Sequence, residues 1–535
     1  MLFRFFLDPL LLLLLFILLL IILYLLWARS QGRFPFPPPR YPRREFYVKD
    51  QLILAGPEET INWIVNEQPQ GVRLRELEPP LAFDELGEQL RNCPDFPNGI
   101  IIGKYQIQGL LPDVARTIDR IDKALGGEAS LVRRDPNWLT GHPYEVEGSP
   151  YEVEGSPYEV EGSGGGTVQF ASPDLFLSQW GFETIGLVQN GDKRTITGRG
   201  VRVGIFDTSP FVGVSEGAET VKELSLQKAP SPLRIKVFHP KLMALEPSSL
   251  ERAGRQVDVR NHGYFVAGLV HAIAPDSEIQ LIRVLENDNR GDLYTLMKAV
   301  FEFLKRNSKE ERPKTGAVVN LSLGIRVAPG EAKFGLPTEV LSLQYLMDAA
   351  HCLGTVVVAA AGNNSSRSSL PLSPNHPASL SGVIGVAASN NSNRRSCFSN
   401  GGKVAAPGGD GRSKDTENGD RNCKPRGQDC SELENCTSAV VGPFIKPPYT
   451  DEKENGYVFW SGSSFSAPMV TGLAALVLQA GQGNLSPTLV ARLIACGATL
   501  SEDQYLGAGI IHIGNTLELC ARRSKGEAYQ REPLL

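Results

Sequence analysis

An α/β fold is predicted: a parallel sheet with helices on both faces, preceded by a small α+β domain of ferredoxin-like order. Three observations predict it. From about residue 170 onward, short β-rich runs alternate with helical patterns. Between Tyr47 and Arg134 the pattern reads β-α-β-β-α-β. Finally, three small-residue motifs at strand or helix ends carry an acid, a histidine and a serine.

The chain has 535 residues, more than one usual domain. Its net charge of -5, with both signs mixed, gives no reason to propose nucleic acid as a partner. Eight cysteines are too few for a disulfide scaffold. Cys423, Cys430 and Cys436 cluster without a zinc spacing, and one local disulfide is open to them in an oxidising compartment.

Taken in order, the chain begins with Pro9 to Ala28, which carries no charge. Leu10 to Trp27 is long enough to cross a bilayer and longer than a usual signal-peptide core. An uncleaved single span over residues 9–28 is expected, with a cleaved signal peptide as the alternative. Arg29, Arg33, Arg40, Arg43 and Arg44 follow the span, and this bias argues for a cytoplasmic C-terminal side. Residues 29–46 form a Pro/Arg-rich spacer, stiff over Phe34 to Pro42.

Residues 47–135 read as the small α+β domain. Tyr47–Leu54, Gly71–Leu77, Ile100–Ile107 and Ser130–Arg134 read as strands. Pro57–Glu67 reads as a helix, and so does Pro112–Leu125, whose Val114, Ile118, Ile121 and Leu125 share one face. Residues 136–167 follow as a linker. Pro143–Ser149 repeats at Pro150–Ser156 and Pro157–Ser163, then meets Gly164-Gly165-Gly166. Proline, glycine and glutamate make this an extended, solvated tether.

Residues 168–520 form the large domain. Strands are expected at Val201–Phe206, Glu278–Val284, Ala317–Leu321, Thr355–Ala361 and Val383–Ala387. Helices are expected at His262–Ile273, Leu293–Leu304, Val340–His351 and Leu473–Ala480. In such sheets ligands bind outside the carboxyl ends of the strands. Asp207, Ser322-Leu323-Gly324 and Gly362-Asn363 each follow a predicted strand. A polar surface insertion is expected near residues 409–459, and 521–535 reads as a charged, disordered tail.

Ser464 lies in Ser461-Gly462-Ser463-Ser464-Phe465-Ser466-Ala467-Pro468 at a helix start, where free N–H groups favour developing negative charge. Taken singly, it reads equally well as a Ser-rich N-cap, and Asp207 as a turn former. Together with His262, in the order Asp, His, Ser, they supply a nucleophile, an imidazole and an orienting carboxylate. The sequence resembles the subtilisin-like serine proteases from about Phe170 to about Leu519, with each of the three inside its own family motif.

The resemblance implies a subtilisin-like fold and an endopeptidase with Asp207, His262 and Ser464 as the catalytic triad. Asn363 matches the family's oxyanion asparagine, and Ser322-Leu323-Gly324 the strand that pairs with substrate backbone. Residues 47–135 then stand where the family carries a propeptide that assists folding and inhibits, with maturation between Asn137 and Thr167. A regulatory domain that stays attached is the alternative. Exported relatives favour the opposite membrane orientation to the arginine bias. No cofactor is implied for the chemistry. Calcium commonly stabilises the family, but no complete calcium loop is readable. Partners are protein or peptide substrates, the bilayer through residues 9–28 and the chain's own propeptide domain. Three positions are read apart from the site: Asn364 as a turn residue, His271 as structural, and His376 as a loop residue without a base role. Ser209 stands where a glycine is usual. Tyr264 replaces a small residue, placing a bulky ring near the cleft.

Two rivals remain. One is a membrane-anchored scaffold on an inactive protease fold. The other is an ester or amide hydrolase with non-protein substrates.

Overall fold

The computed structural model describes residues 46–94, 96–109, 112–141, 170–187, 195–226, 231–245, 259–308, 313–325, 340–367, 370–409, 439–446, 449 and 455–525. All belong to the unit Glu45–Leu535. The expected membrane segment, the repeat linker and the cluster of Cys423, Cys430 and Cys436 lie outside the described residues.

The N-terminal part is built from β1 (Tyr47–Pro57), α1 (Glu58–Glu67), β2 (Leu74–Glu76), β3 (Ile100–Ile107), α2 (Val114–Leu125) and β4 (Arg133–Gly141). Its antiparallel sheet has the order β4-β1-β3-β2, the ferredoxin-like arrangement. Helix α2 starts on Asp113, whose side chain accepts from Arg116 N at 2.9 Å. It ends at Gly126, in the left-handed region at φ 54°. Between these ends Val114, Ile118, Ile121 and Leu125 are buried, the face that the helical spacing predicts.

Strand β4 runs to Gly141, past the expected end at Arg134. The extension has a tertiary cause. Residues 139–141 pair with Gly291–Asp292 and Gly324–Ile325 of the large domain, whose edges no local pattern announces.

The large domain holds β5 (Val201–Asp207), β6 (Glu219–Leu224), β7 (Leu233–Phe238), α3 (His262–Ile273), β8 (Glu278–Arg283), β9 (Gly291–Asp292) and α4 (Leu293–Ser308). There follow β10 (Gly316–Leu321), β11 (Gly324–Ile325), α5 (Leu341–Cys352), β12 (Thr355–Ala360), β13 (Val383–Ser389) and β14 (Val404–Pro407). Last come β15 (Val440–Ile445), β16 (Asn455–Trp460), α6 (Ser463–Ala480), α7 (Pro487–Gly497) and α8 (Ile513–Ser524).

Eight strands form the central sheet in the order β14-β13-β12-β10-β5-β8-β7-β6. Every pairing is parallel except β6 with β7 at one edge. Alternate residues feed two cores, as a strand buried on both faces requires. Val356, Val358 and Ala360 join the side of α3 and α6, whereas Val357 and Ala359 join the side of α4 and α5.

The second core continues into the N-terminal domain. Phe83 lies 5.3 Å from Phe96 in its own domain and 5.6 Å from Phe301 of α4, centroid to centroid. Glu78 takes Lys104 at 2.5 Å and Lys298 of α4 at 2.5 Å. Burial raises the Glu78 carboxyl, but the hydrogen bonds from the two lysines outweigh it and hold the group below its usual range.

Two expectations need correction. The stretch from Gly408 to Trp460 is not wholly a polar surface insertion. Strands β15 and β16 pair antiparallel, and Val440, Val441, Phe444, Val458 and Trp460 are buried in the first core. Apolar runs at Val440–Ile445 and Tyr457–Trp460 drive this burial once helix α3 offers a surface. The expected tail from Ala521 starts as helix, because α8 continues to Ser524 with Arg522 and Arg523 at its negative dipole end. Among the described residues one helix is long and apolar enough to cross a membrane, Ser463–Ala480, and 89% of it is buried in the protein core.

Candidate active site

Asp207 is the last residue of β5, Ser322 follows β10 and Asn363 follows β12. Parallel strands put all three at one edge of the sheet. His262 opens α3, and Ser464 is the second residue of α6.

Asp207 is fully buried, and Thr208 donates to its Oδ1 from the backbone N–H at 2.7 Å. His262 Nδ1 lies 2.9 Å from Oδ1 and 3.0 Å from Oδ2 of this carboxylate. A carboxylate only accepts, so Nδ1 carries the hydrogen and Nε2 is the basic nitrogen. Asn261 anchors the start of α3. It donates from Nδ2 to Ile445 O at 3.0 Å and accepts from Ile445 N at 2.9 Å.

The imidazole is walled by aromatic rings. Trp460 stands edge-to-face at 5.4 Å and Phe465 lies tilted at 5.1 Å, centroid to centroid. Phe465 follows Ser464 in the chain, so one ring ties the histidine to the start of α6.

Ser464 is held directly by Ser322 and through its chain neighbour Ser463. Pro468 sits inside α6 and has no N–H to give the carbonyl four residues back, which is that of Ser464. Ser322 Oγ fills the gap, donating to Ser464 O at 2.8 Å. Ser464 Oγ in turn donates to Ser322 O at 3.2 Å. Ser463 N donates to Asn363 Oδ1 at 3.0 Å, and Gly362 N donates to Ser463 Oγ at 3.1 Å. The first bond directs the amide oxygen of Asn363 to the helix start and turns its NH2 group the other way.

Behind these groups lies a polar chain that sequence reasoning missed. Thr471 Oγ1 donates to Asn320 Oδ1 at 2.9 Å, and Asn320 Nδ2 donates to Ser322 Oγ at 2.9 Å. Thr471 and Asn320 carry no motif of their own. Their only sequence signal is a polar residue inside an otherwise apolar helix or strand.

The groove beside these residues is filled by the chain itself. Thr140 is paired with Gly291 on one side and Ile325 on the other, and Gly141 with Gly324. Residues 139–141 thus form the middle strand between β9 and β11. A Cβ at Gly291 would fall 2.4 Å from Val284 O and 2.8 Å from Thr140 Oγ1, so only glycine admits the strand there. Ile325 N donates to His376 O at 2.9 Å, which holds the far side of β11.

The remaining singled-out residues stand apart. Tyr264 is fully buried against Phe211 at 5.7 Å, centroid to centroid, so its ring belongs to the core, contrary to the expectation that it stands near the cleft. Ser209 Oγ lies 2.8 Å from His239 Nε2. Burial, with Arg283 and Lys222 nearby, pushes His239 down to about 4, so it is neutral at pH 7. His271 Nε2 donates to Ser231 O at 3.1 Å inside the fold. Asn364 opens a single helical turn, Asn364–Arg367. Among the described residues no group of three or more His, Cys, Asp or Glu side chains is placed to hold a metal ion.

The fold and the arrangement of the site resemble those of the subtilisin-like serine proteases, a class of hydrolases. Residues 243–509 match the family described as "Subtilase family". Subtilisin DY of Bacillus licheniformis is 28% identical over 270 residues, 48% of this chain and 77% of its own length. A thermostable alkaline protease of Halalkalibacterium halodurans is 24% identical over 355 residues, 63% of this chain and 73% of its own. A thermophilic serine proteinase of a Bacillus species is 28% identical over 242 residues, and the match spans only 45% of that relative. Among solved structures, fervidolysin of Fervidobacterium pennivorans, described as a keratinolytic enzyme related to subtilisin, shares the fold. Its TM-score is 0.51 at 18% identity, covering 89% of this chain and 62% of that one.

Proposed function

We propose that this chain is a serine endopeptidase, made as a membrane-associated zymogen that cuts itself. The observation that carries the reading is the buried Asp207 carboxylate bridging His262 Nδ1, with Ser464 at the adjoining helix start.

In this reading Ser464 Oγ attacks the scissile carbonyl and His262 Nε2 takes its proton. Asp207 holds the imidazole in that tautomer and balances the imidazolium. The oxyanion is met by Ser464 N–H, at the positive end of α6, and by the NH2 group of Asn363. The tetrahedral intermediate collapses as His262 protonates the leaving amine. Water, activated by the same nitrogen, then hydrolyses the acyl-enzyme. The substrate lies as a strand along Ser322-Leu323-Gly324, bound through its backbone as in β-augmentation. Substrates are therefore extended segments of protein or peptide. No cofactor takes part in these steps.

The segment in the groove supports the zymogen reading. Its register advances from Ile325 opposite Thr140 to Gly324 opposite Gly141, toward Ser322 and Ser464. The bond presented to Ser464 then lies C-terminal to Gly141, within residues 142–167. Residues 47–141 act as inhibitor and folding aid. Residues 9–28 anchor the chain, and the catalytic domain faces the exported side. The Cys93–Cys352 disulfide supports that side, because disulfides persist in oxidising compartments.

The test is mass spectrometry of the full chain beside Ser464→Ala. Cleavage between residues 141 and 167 in the wild type alone is the expected result. Identical cleavage of both chains, or none in a folded wild type with no hydrolysis of added peptides, would sink the reading.

A further inference from the structure

Cys93 lies just after the short helix Glu88–Arg91 of the N-terminal domain, and Cys352 is the last residue of α5 in the large domain. They form a disulfide, with Cα atoms 5.8 Å apart across a sequence separation of 259. The proposed processing segment, residues 142–167, falls inside the loop that this bond closes. Hydrolysis of one peptide bond there yields two chains still joined through sulfur.

The surroundings show a built contact. Gln89 Nε2 donates to Cys352 O at 3.1 Å. Tyr345 of α5 donates from its OH to Leu131 O at 3.4 Å and lies beneath the Arg133 guanidinium at 5.9 Å. Asp135 accepts from Ser342 N at 2.6 Å, and Asn137 Nδ2 donates to Asp292 at 3.0 Å.

We infer that the processed N-terminal domain remains on the enzyme as a disulfide-linked second chain, and that freeing the groove requires a thiol reductant as well as the cut. This rests on the proposed cleavage within residues 142–167. The chemistry balances in two separate steps. Water adds OH to the scissile carbonyl carbon and hydrogen to the leaving amine. An external dithiol then gives two electrons and two protons to the Cys93–Cys352 bond, producing two thiols and its own disulfide. Until the second step occurs the inhibitor is held at an effective concentration of about millimolar, so diluting the enzyme does not empty the groove. The domain is then a subunit whose release is under redox control.

The full chain in detergent is allowed to process, its thiols are blocked with N-ethylmaleimide, and it is denatured. The expected intact mass is that of the whole chain plus one water and the maleimide carried by its free thiols, splitting into two chains when dithiothreitol is added before the block. Peptide mapping should find Cys93 joined to Cys352. Separation into two chains without reductant, or both cysteines carrying the blocking group, overturns the inference. Cys93→Ala should part into two chains without reductant. Should the chain not cut itself, a recognition site for a sequence-specific protease at residues 150–156 of the Ser464→Ala chain supplies the cut. The same masses then decide the disulfide apart from the self-processing. In the processed enzyme at nanomolar concentration, dithiothreitol should raise peptide hydrolysis by about tenfold or more, and in Cys93→Ala leave it unchanged. An equal response in both chains removes the redox control.

Discussion

At the scale of single residues, Pro468 explains Ser322. The missing N–H would leave Ser464 O unpaired in a buried place, and the Ser322 hydroxyl answers it. Ser322→Ala should cost about 1–3 kcal/mol of stability, measured by thermal unfolding in a Ser464→Ala background that cannot digest itself. In its proposed oxyanion role Asn363 acts on charge present only in the transition state, so Asn363→Ala should lower kcat by about 100- to 1,000-fold with little change in KM. Trp460 makes a different prediction. Trp460→Ala removes one wall from the imidazole, and the acid limb of the pH–rate profile should move while Cys93–Cys352 linkage stays intact. The candidate triad and Asn363 were legible in the sequence, because each lies in a short motif at an element end. Asn320, Thr471 and Trp460 were not, because their partners lie at distant positions in the chain.

At the scale of elements, the start of α5 is capped from another domain. Its own preceding residue, Val340, offers no side-chain acceptor, and Asp135 of β4 accepts from Ser342 N instead. Burial raises the Asp135 carboxyl to about 6 against the hydrogen bonds from Ser342, which lower it. The packed state therefore binds this proton more readily than the unfolded chain, whose carboxyl has its usual value near 3.8. Between those two values stability rises as pH falls, and above about pH 6 the buried charge weighs fully against folding. Thermal unfolding of the Ser464→Ala chain should show this slope, and adding Asp135→Asn should flatten it. Helix α3 supplies a packing test. A Cβ on Gly268 would lie 2.2 Å from Pro443 Cγ of β15. Gly268→Ala should destabilise by about 1–3 kcal/mol and, by shifting the helix that carries His262, reduce kcat.

At the scale of the whole molecule, one core is shared between two domains. Tyr294, Leu296, Met297 and Leu346 of the large domain belong to the same buried cluster as Leu52, Phe83 and Ile102 of the N-terminal domain. Without its N-terminal partner the large domain exposes the outer sides of α4 and α5, an apolar face of the kind that promotes association. Residues 170–535 refolded alone should aggregate or remain without fixed tertiary structure, and residues 46–141 added in trans should raise the folded yield. Near-UV circular dichroism and gel filtration read both outcomes. An equal yield with and without the N-terminal domain would refute the shared-core account.

The sequence by itself determined the alternation of strands and helices, the ferredoxin-like order of the N-terminal domain, and the motifs that hold Asp207, His262, Asn363 and Ser464. These are local properties: hydrophobic period, caps, and small residues at element ends. Tertiary structure alone decided where β4 ends, because Leu139, Thr140 and Gly141 are ordered by edges far along the chain. It alone turned Val440–Ile445 and Asn455–Trp460 into a core hairpin against α3 and paired Cys93 with Cys352. Such contacts depend on which distant surfaces meet once the chain has closed, and no period or spacing within one segment encodes the partner.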